Sequence, residues 1–326
     1  MDDRYFIGVD LGGTKILTAV AGQDGSVRGR ARLSTDAHRG PDAVIGRIIQ
    51  SIEEAGSQAG IDPRNARAIG IGAPGPLDTK TGVVFFAPNL GWRDVPLGAR
   101  VSGYFGLPAF VDNDANLAGY GECIYGAGRG ARSMIYITVS TGIGGGIILG
   151  GKVYHGAGDA AGELGHMTID LDGPVCVCGN RGCLEAMASG TAIARMGREL
   201  AATGGGLVIL EKAGGRPEEI TSVAVAAAAR DGDAEARQIL ERAAEALGAG
   251  VANILNAFNP EVVVLGGGVI GIGEGFFDRV LREVDRRALK GPRETARIVT
   301  AALGGDAGLM GALALAIEKS GNSSPK

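Results

Sequence analysis

Three of the four cysteines and one of the three histidines lie within residues 165–183, in the stretch GHMTIDLDGPVCVCGNRGC. Cys176, Cys178 and Cys183 have the spacing C-x-C-x4-C, and His166 lies ten residues before the first of them. Three thiolates and one imidazole make up the tetrahedral donor set that zinc prefers. Four protein ligands leave no open position for water, so the pattern predicts a structural zinc site rather than a catalytic one.

Two other interpretations of these cysteines are disulfide bonds and buried, inert thiols. Adjacent C-x-C partners do not easily close a disulfide on each other, and an intracellular chain disfavours disulfides. Buried, inert thiols are the simplest alternative, and Cys123, alone on an apolar helix face, fits that description. His38 and His155 lie in charged or glycine-rich loops and are expected to be solvated surface residues.

Glycine is the second chemical signal, with 58 residues among 326, more than twice the usual share of about 7%. The glycines cluster after β-rich runs, in DLGGTK, GIGAPGP, STGIGGG and LGGGVIGIG. In the first cluster a strand leads Asp10 to a turn whose backbone N–H groups at Gly12, Gly13 and Thr14 can bind phosphate. Asp10 would then hold Mg²⁺, mostly through water. The residues from Thr141 to Gly146 offer a second such turn, although a GG pair also occurs in ordinary hairpins.

The pattern of apolar residues predicts the elements that position these turns. Strands are expected at Tyr5–Val9, Lys15–Ala21, Val27–Ser34, Ala66–Gly72, Pro108–Val111 and Val262–Leu265. Helices are expected at Pro41–Ala59, Ala115–Tyr125, Thr191–Ala202, Ser222–Arg230, Ala234–Phe258 and Gly308–Lys319. The strand, glycine turn and strand of Ser133–Gly156 repeat the design of Tyr5–Gly25, which indicates an internal duplication. Two α/β halves of this kind predict a ligand-binding cleft between domains.

Length and charge limit the class of protein. A chain of 326 residues suits two domains. The net charge of −4 and the absence of a long basic run argue against nucleic-acid and anionic-membrane partners. The N-terminus does not have the pattern of a signal peptide, and no apolar run has the length of a membrane span. A soluble cytoplasmic protein is therefore expected.

The motifs VDLGGTK, GAPGP, PNLGW, VDNDAN, STGIGGG, ELGHMTID…CVCGNRGCLEAMASG and LGGGV resemble, in this order, those of the ROK family of repressors and sugar kinases. The resemblance implies an α/β protein with the actin-like ATPase (ribonuclease H-like) fold. Two domains, each a mixed sheet flanked by helices, would surround a cleft for ATP and a sugar. The smaller domain would comprise residues 1–117 with the C-terminal helix at about 305–326. The larger would comprise 118–304, with the zinc loop and most of the nucleotide site.

The resemblance also implies roles for individual residues. Asp114 would be the general base, although Asp just before a helix is also a common N-cap. The sugar-contacting positions would be Gly75, Asn89, Asn113, Asp114, Glu163, His166 and Glu185. The ATP-contacting positions would be Asp10, Gly12, Gly13, Thr14, Lys15, Thr141, Gly142, Gly144, Gly145, Gly266, Gly267 and Gly268. From the residues alone, Glu163 and Glu185 can equally be surface acids that flank the zinc loop, or Glu185 can start a helix.

The activity that the resemblance implies is ATP-dependent phosphorylation of the 6-hydroxyl of glucose, as in bacterial glucokinases, with ATP, Mg²⁺ and structural Zn²⁺ as cofactors. N-acetylglucosamine, N-acetylmannosamine or fructose as the acceptor, and polyphosphate as the donor, stay open. A sugar-responsive repressor is disfavoured because only MDDR precedes Tyr5. An actin-fold ATPase without sugar chemistry is disfavoured by the zinc loop and its flanking carboxylates. A homo-oligomer, either dimer or tetramer, is expected.

Overall fold

The computed structural model describes residues 4–273 and 275–321. The chain forms two compact units. Unit 1 comprises Met1–Arg132, Gly146–Gly162 and Ala302–Lys326, and unit 2 comprises Ser133–Gly145 and Glu163–Ala301. Residues 322–326, the end of the C-terminal segment assigned to the smaller domain, lie outside the described residues.

The elements follow one another along the chain as mixed α and β structure. The strands are β1 (Tyr5–Leu11), β2 (Lys15–Gly22), β3 (Val27–Ser34), β4 (Ile69–Ala73), β5 (Leu77–Asp78), β6 (Val83–Ala87), β7 (Trp92–Val95), β8 (Ala109–Asn113), β9 (Ser133–Val139), β10 (Ile143–Leu149), β11 (Lys152–Val153), β12 (Val262–Gly266) and β13 (Arg297–Thr300). The helices are α1 (Pro41–Ala59), α2 (Leu97–Phe105), α3 (Asp114–Tyr125), α4 (Leu184–Ala188), α5 (Gly190–Ala202), α6 (Leu207–Lys212), α7 (Ser222–Arg230), α8 (Ala234–Phe258), α9 (Phe276–Arg287), α10 (Lys290–Thr295) and α11 (Ala307–Gly321).

The main sheet of unit 1 has the order β3-β2-β1-β4-β8. The hairpin β1–β2 and strand β3 are antiparallel, whereas β4 and β8 run parallel to β1. The central strands are almost wholly apolar because helices cover both faces, α1 on one side and α11 on the other. Because β1, β4 and β8 are parallel neighbours, their carboxyl ends lie side by side at one edge of the sheet.

Glycines let α11 approach this sheet and α3 very closely. A Cβ atom on Gly70 would lie 2.0 Å from the carbonyl oxygen of Ala312, and one on Gly311 would lie 1.7 Å from the carbonyl oxygen of Leu117. Both distances are far below van der Waals contact, so only glycine fits at these two crossings.

The second sheet has the order β11-β10-β9-β12-β13, with β12 parallel to both β9 and β13. Both main sheets thus place a hairpin beside two parallel strands, an arrangement that agrees with the predicted duplication. The long helix α8 packs against α9, α4 and α7 in unit 2. The α/β class and the mixed sheets flanked by helices are also confirmed. Among the described residues, no helix combines the length and apolarity that crossing a membrane requires.

Candidate active site

The turn between β1 and β2 presents the first predicted phosphate-binding residues. The N–H of Gly12 donates to the carbonyl of Lys15 at 3.0 Å and closes the hairpin, so this N–H is not the phosphate donor that the sequence predicted. Thr35, just after β3, fixes the other side: its hydroxyl donates to the carbonyl of Gly12 at 2.7 Å, and its N–H donates to the carbonyl of Thr14 at 3.0 Å. Thr35 therefore holds the backbone of the turn in place.

Asp10 lies at the end of β1, where the sheet meets the first turn of α11. Its carboxylate atoms lie 2.9–3.2 Å from the position that a Cβ on Gly308 would occupy. Burial raises the pKa of Asp10 above its ordinary value, Lys15 opposes that shift, and the charge of Asp306 adds to it. A cation beside this carboxylate would offset the cost of burying its charge.

The predicted base, Asp114, is the first residue of α3. The N-cap is Asn113, whose side-chain oxygen accepts from the N–H groups of Ala115 and Asn116 at 2.9 and 3.2 Å. The N-cap interpretation of Asp114 was therefore wrong by one residue. The sequence did not distinguish the two positions, because Asn caps a helix as well as Asp does. Asp114 instead accepts the N–H of Ala115 on its own Oδ1 at 2.8 Å.

Asp10 and Asp114 converge across the edge of the sheet. The Oδ1 atom of Asp10 and the Cα atom of Asp114 both lie 3.8 Å from the position that a Cβ on Gly72 would occupy. The two atoms are therefore at most twice that distance apart, 7.6 Å. Gly72 pairs with Asp10 on one side and with Asp112 on the other, so the sheet register sets this spacing.

Two more predicted residues of unit 1 join this edge. The Nδ2 atom of Asn89 lies 3.2 Å from the Cβ position of Gly13, so the asparagine packs on the phosphate-binding turn. The Nδ2 atom of Asn113 lies 3.4 Å from the Cβ position of Gly75. Unit 1 thus brings together the predicted sugar and phosphate positions that it contains.

In unit 2, Glu185 contacts the second glycine turn, a connection that the sequence did not reveal. Its Oε2 atom accepts the N–H of Ile143 at 2.7 Å and lies 2.4 Å from the Cβ position of Gly142. The hydroxyl of Thr191, at the start of α5, donates to the carbonyl of Thr141 at 2.8 Å. Glu185, a predicted sugar-contacting residue, therefore lies against the turn that contains the predicted nucleotide residue Gly142.

The glycine run that begins at the last residue of β12 lies against the end of β9. A Cβ on Gly267, which has a φ of +87°, would lie 2.2 Å from the carbonyl oxygen of Val139. The N–H of Val269 donates to the same carbonyl at 3.0 Å. The predicted nucleotide positions in this run, Gly266, Gly267 and Gly268, thus adjoin the strand that leads to Thr141, Gly142, Gly144 and Gly145.

The predicted zinc ligands lie together. One donor atom from each of His166, Cys176, Cys178 and Cys183 falls within 4.8 Å of the others. The Cys178 and Cys183 sulfurs are 3.7 Å apart, too far for a disulfide bond. Burial raises the pKa of Cys183 to about 12, so a cation would be required to hold this thiol as a thiolate. The donor set fits zinc.

His166 has two differently placed ring nitrogens. Nδ1 is 3.7 Å from the Cys176 sulfur, whereas Nε2 faces Glu163 with 3.9 Å to its Oε2 atom. One nitrogen is therefore directed to the sulfur cluster and the other to the predicted sugar position, Glu163.

One polar pair in unit 1 was not anticipated. The Nε2 atom of His155 lies 2.7 Å from Oδ2 of Asp112, a carboxylate that is 2% exposed. The expectation that His155 is a solvated surface residue was therefore wrong, since only 26% of its side chain is exposed. Burial of a loop histidine depends on the strand end that it meets, which no local pattern in the sequence reports.

Comparison with known proteins gives consistent matches over nearly the whole chain. A model of the ROK family matches residues 6–319. The glucokinase of Halalkalibacterium halodurans is 37% identical over 312 residues, which are 95% of this chain and 94% of that protein. The ROK hexokinase structure from Thermus thermophilus has a TM-score of 0.85 at 36% identity and covers 98% of this chain and 100% of its own.

A further structure is that of a ROK family glucokinase from Streptomyces griseus in complex with glucose and AMPPNP. It has a TM-score of 0.79 at 37% identity and covers 96% of this chain and 99% of its own. Together with the Thermus thermophilus hexokinase, it confirms the predicted actin-like ATPase fold.

Proposed function

The chain belongs to the ROK family, and we propose that it is a glucokinase that transfers the γ-phosphoryl group of ATP to the 6-hydroxyl of glucose. The observation that carries the proposal is the approach of Asp10 and Asp114 at the carboxyl ends of β1 and β8. Phosphoryl transfer needs a group that holds the metal near the phosphates and a group that accepts the proton of the attacking hydroxyl. The similarity to glucokinases supports glucose as the acceptor.

On the donor side, the backbone turns would bind the phosphates of ATP. The turn of Gly12, Gly13 and Thr14 adjoins Lys15, and N–H groups with a cationic side chain are suited to phosphate oxygens. The proposed N–H donors are those of Gly13 and Thr14, because the Gly12 N–H already donates to the Lys15 carbonyl. The proposed ATP residues of unit 2 are those of the two glycine turns, Thr141, Gly142, Gly144, Gly145, Gly266, Gly267 and Gly268. When bound, Mg²⁺ supplies charge neutralisation on the phosphates. Asp10, whose charge is disfavoured by burial, would hold it through water.

On the acceptor side, Asp114 would take the proton of the 6-hydroxyl. As that oxygen bonds to the γ-phosphorus, the bond from phosphorus to the bridging oxygen breaks, and ADP leaves with the electron pair. Asn113 is fixed as the cap of α3, which places Asp114 at a defined position in the first turn. Hydroxyl contacts to the sugar are assigned to Gly75, Asn89, Asn113, Glu163, His166 and Glu185.

Zinc would have a structural role. A site of His166, Cys176, Cys178 and Cys183 has no open position, so its metal would organise the loop without contacting substrate. The loop connects Glu163, before the histidine, to Glu185, after the last cysteine. The zinc loop would thereby fix the two carboxylates proposed to bind sugar hydroxyls.

The position of transfer and the donor can be tested in one experiment. Purified protein is incubated with Mg²⁺ and glucose, with either ATP or polyphosphate, and the products are identified by ³¹P NMR. Glucose 6-phosphate and ADP from ATP are the expected products. A phosphate at another hydroxyl would contradict the proposal, as would product formation from polyphosphate with none from ATP.

We further propose that the protein is cytoplasmic and assembles as a homodimer or homotetramer. Analytical ultracentrifugation at micromolar concentration gives the mass of the assembly directly. A sedimenting species of 33.0 kDa at every concentration would contradict the proposed assembly.

A further inference from the structure

Asp112 is the residue before the N-cap of α3 and the second before the proposed base. Its carboxylate has three partners: the N–H of Asn113 at 2.7 Å and the side-chain amide of Asn116 at 3.2 Å on Oδ1, and the His155 ring at 2.7 Å on Oδ2. The first partner lies at the end of β8 and the second in the first turn of α3. Asp112 thus joins the strand end to the helix start, and His155 is its partner from outside both elements.

His155 is also the partner that carries the compensating charge. The hydrogen bond to Asp112 raises the pKa of His155, and partial burial opposes the shift. The charged groups that act on the ring are Asp112, Asp159 and Lys319; the two carboxylates raise the pKa and the ammonium lowers it. Asp159 is itself fixed, since its Oδ2 atom accepts the N–H and the hydroxyl of Thr79 at 3.0 and 3.1 Å.

We propose that His155 is a positioning residue for phosphoryl transfer, which holds Asp112 so that the strand end and first helical turn fix Asp114, and whose positive charge offsets that of Asp112 beside the base. The proposal rests on the role proposed above for Asp114. It assigns His155 two separable contributions, a hydrogen bond and a charge.

The charge has a definite effect on the base. Asp112 and Asp114 are two residues apart, roughly 6–7 Å along an extended backbone. A neighbouring negative charge raises the pKa of a carboxyl, and a positive charge that neutralises the neighbour removes that effect. Because the pKa of His155 is raised, its ring is protonated in the pH range where carboxylates titrate. Removal of the charge should therefore shift the acid limb of activity to higher pH.

The test compares His155→Gln and His155→Ala by kcat and kcat/KM for glucose between pH 5 and 9. Glutamine keeps a neutral N–H donor, so we expect its kcat at pH 8 to stay within about threefold of wild type while the acid limb of kcat/KM moves up by about half a unit. Alanine removes the hydrogen bond as well, and displacement of a catalytic group by about 1 Å can lower the rate roughly 100-fold. We therefore expect kcat to fall about 10- to 100-fold at every pH, with the KM for ATP unchanged.

The exposed His38 provides the matched control, because His38→Gln makes the same chemical change in a residue that lacks a buried partner carboxylate among the described residues. The control should match wild type in rate and acid limb. A wild-type kcat in His155→Ala would overturn the positioning role. An unmoved acid limb in His155→Gln would overturn the role of the charge, and this variant serves even if the alanine variant does not fold.

Titration of the histidine rings by NMR separates failure of this proposal from failure of the proposed function. In the full-length protein the His155 ring should titrate above the ordinary histidine value, and it should return toward that value in Asp112→Asn. If the wild-type chain does not phosphorylate glucose, the proposed function fails regardless of this titration. A His155 ring that titrates at its ordinary value in an active enzyme would overturn the present proposal alone.

Discussion

Asp112, Asn113 and Asp114 are adjacent in the chain, yet the structure gives each side chain different partners. Asp112 is buried and bonded to Asn113, Asn116 and His155. Asn113 caps α3, and Asp114 accepts from Ala115 in the first turn. Three consecutive polar residues therefore divide between structural support, helix capping and the proposed chemistry, which makes their substitutions separable by experiment.

The substitution Asp114→Asn tests the proposed base. It keeps the shape of the side chain and leaves the cap intact, because Asn113 is the cap. Loss of a general base lowers the rate by about 10²- to 10⁴-fold, so kcat should fall by this factor while glucose affinity changes little. Steady-state kinetics with isothermal titration of glucose measures both. A kcat near that of wild type would contradict the assignment of the base.

Glu185 provides a second residue-scale prediction, because it contacts the turn of Gly142 and Ile143 as well as occupying a proposed sugar position. Glu185→Gln keeps a side-chain oxygen that can accept from Ile143, so only the KM for glucose should rise, by about 10- to 100-fold. Glu185→Ala also releases the turn, so the KM for ATP should rise as well. Separate Michaelis curves for the two substrates decide this. An equal change in the KM for ATP in both variants would contradict the proposed role of the contact between Glu185 and the turn.

Residue types were easier to predict than residue partners. The zinc donors share one short loop, so the spacing alone predicted the set that the structure brings together. The cap of α3 was misplaced by one residue because Asn and Asp cap equally well. The contact of Glu185 with Ile143 spans 42 residues, and the contact of His155 with Asp112 spans 43. Such contacts depend on tertiary structure that local patterns do not contain.

At the scale of elements, several long helices were predicted with their bounds, whereas α9 (Phe276–Arg287) was missed. The helix predicted at Pro41–Ala59 is present with the same bounds, because its apolar residues repeat at helical spacing over several turns. The helices predicted at Ser222–Arg230 and Ala234–Phe258 also have the predicted bounds, and both are rich in alanine, the strongest helix former. The small sheet of β5, β6 and β7 was missed. Its strands are two to five residues long, too short for alternation to be distinguished from an irregular loop.

The crossing of α3 and α11 depends on glycine and can be tested directly. Gly311→Ala would place a Cβ 1.7 Å from the Leu117 carbonyl oxygen, and overpacking of this kind lowers the free energy of unfolding by about 1–3 kcal/mol or more. Gly46→Ala is the matched control in α1, where an added Cβ meets no atom within 4 Å. That control should gain about 0.5–1 kcal/mol because alanine favours the helix. Urea unfolding of both variants measures the difference, and a Gly311→Ala midpoint at or above wild type would contradict the packing.

The zinc loop is the other element with a direct test. Metal analysis of purified protein should find about one zinc per chain, as a single four-ligand site implies. Cys178→Ser should lose the metal and raise the KM for glucose before that for ATP, since the loop connects the two proposed sugar carboxylates. Cys123→Ser, a change outside the predicted zinc donor set, should keep both zinc and activity. Fully active wild-type protein without zinc would contradict the structural role.

At the scale of the whole molecule, the sequence indicated the repeated sheet order from two short stretches alone. Two stretches of strand, glycine turn and strand predicted two related halves, and both main sheets place a hairpin beside two parallel strands. The assignment of segments to units is less local. Residues 146–162 belong to unit 1 although they lie between the two segments of unit 2 in the chain. The C-terminal segment also belongs to unit 1, although it follows unit 2. Returns of this kind depend on packing between distant segments, which periodicity does not report.

The most direct test of the central claim is the choice of acceptor. A coupled assay of ADP release compares glucose, N-acetylglucosamine, N-acetylmannosamine and fructose at matched concentrations with ATP and Mg²⁺. The proposed sugar site consists of hydrogen-bonding groups, and a buried polar group left unpaired costs about 1–3 kcal/mol. A sugar that lacks one matched hydroxyl should therefore lose roughly one to two decades of kcat/KM. The account predicts that glucose has the highest kcat/KM by at least this margin, and a higher value for an N-acetylhexosamine or for fructose would contradict it.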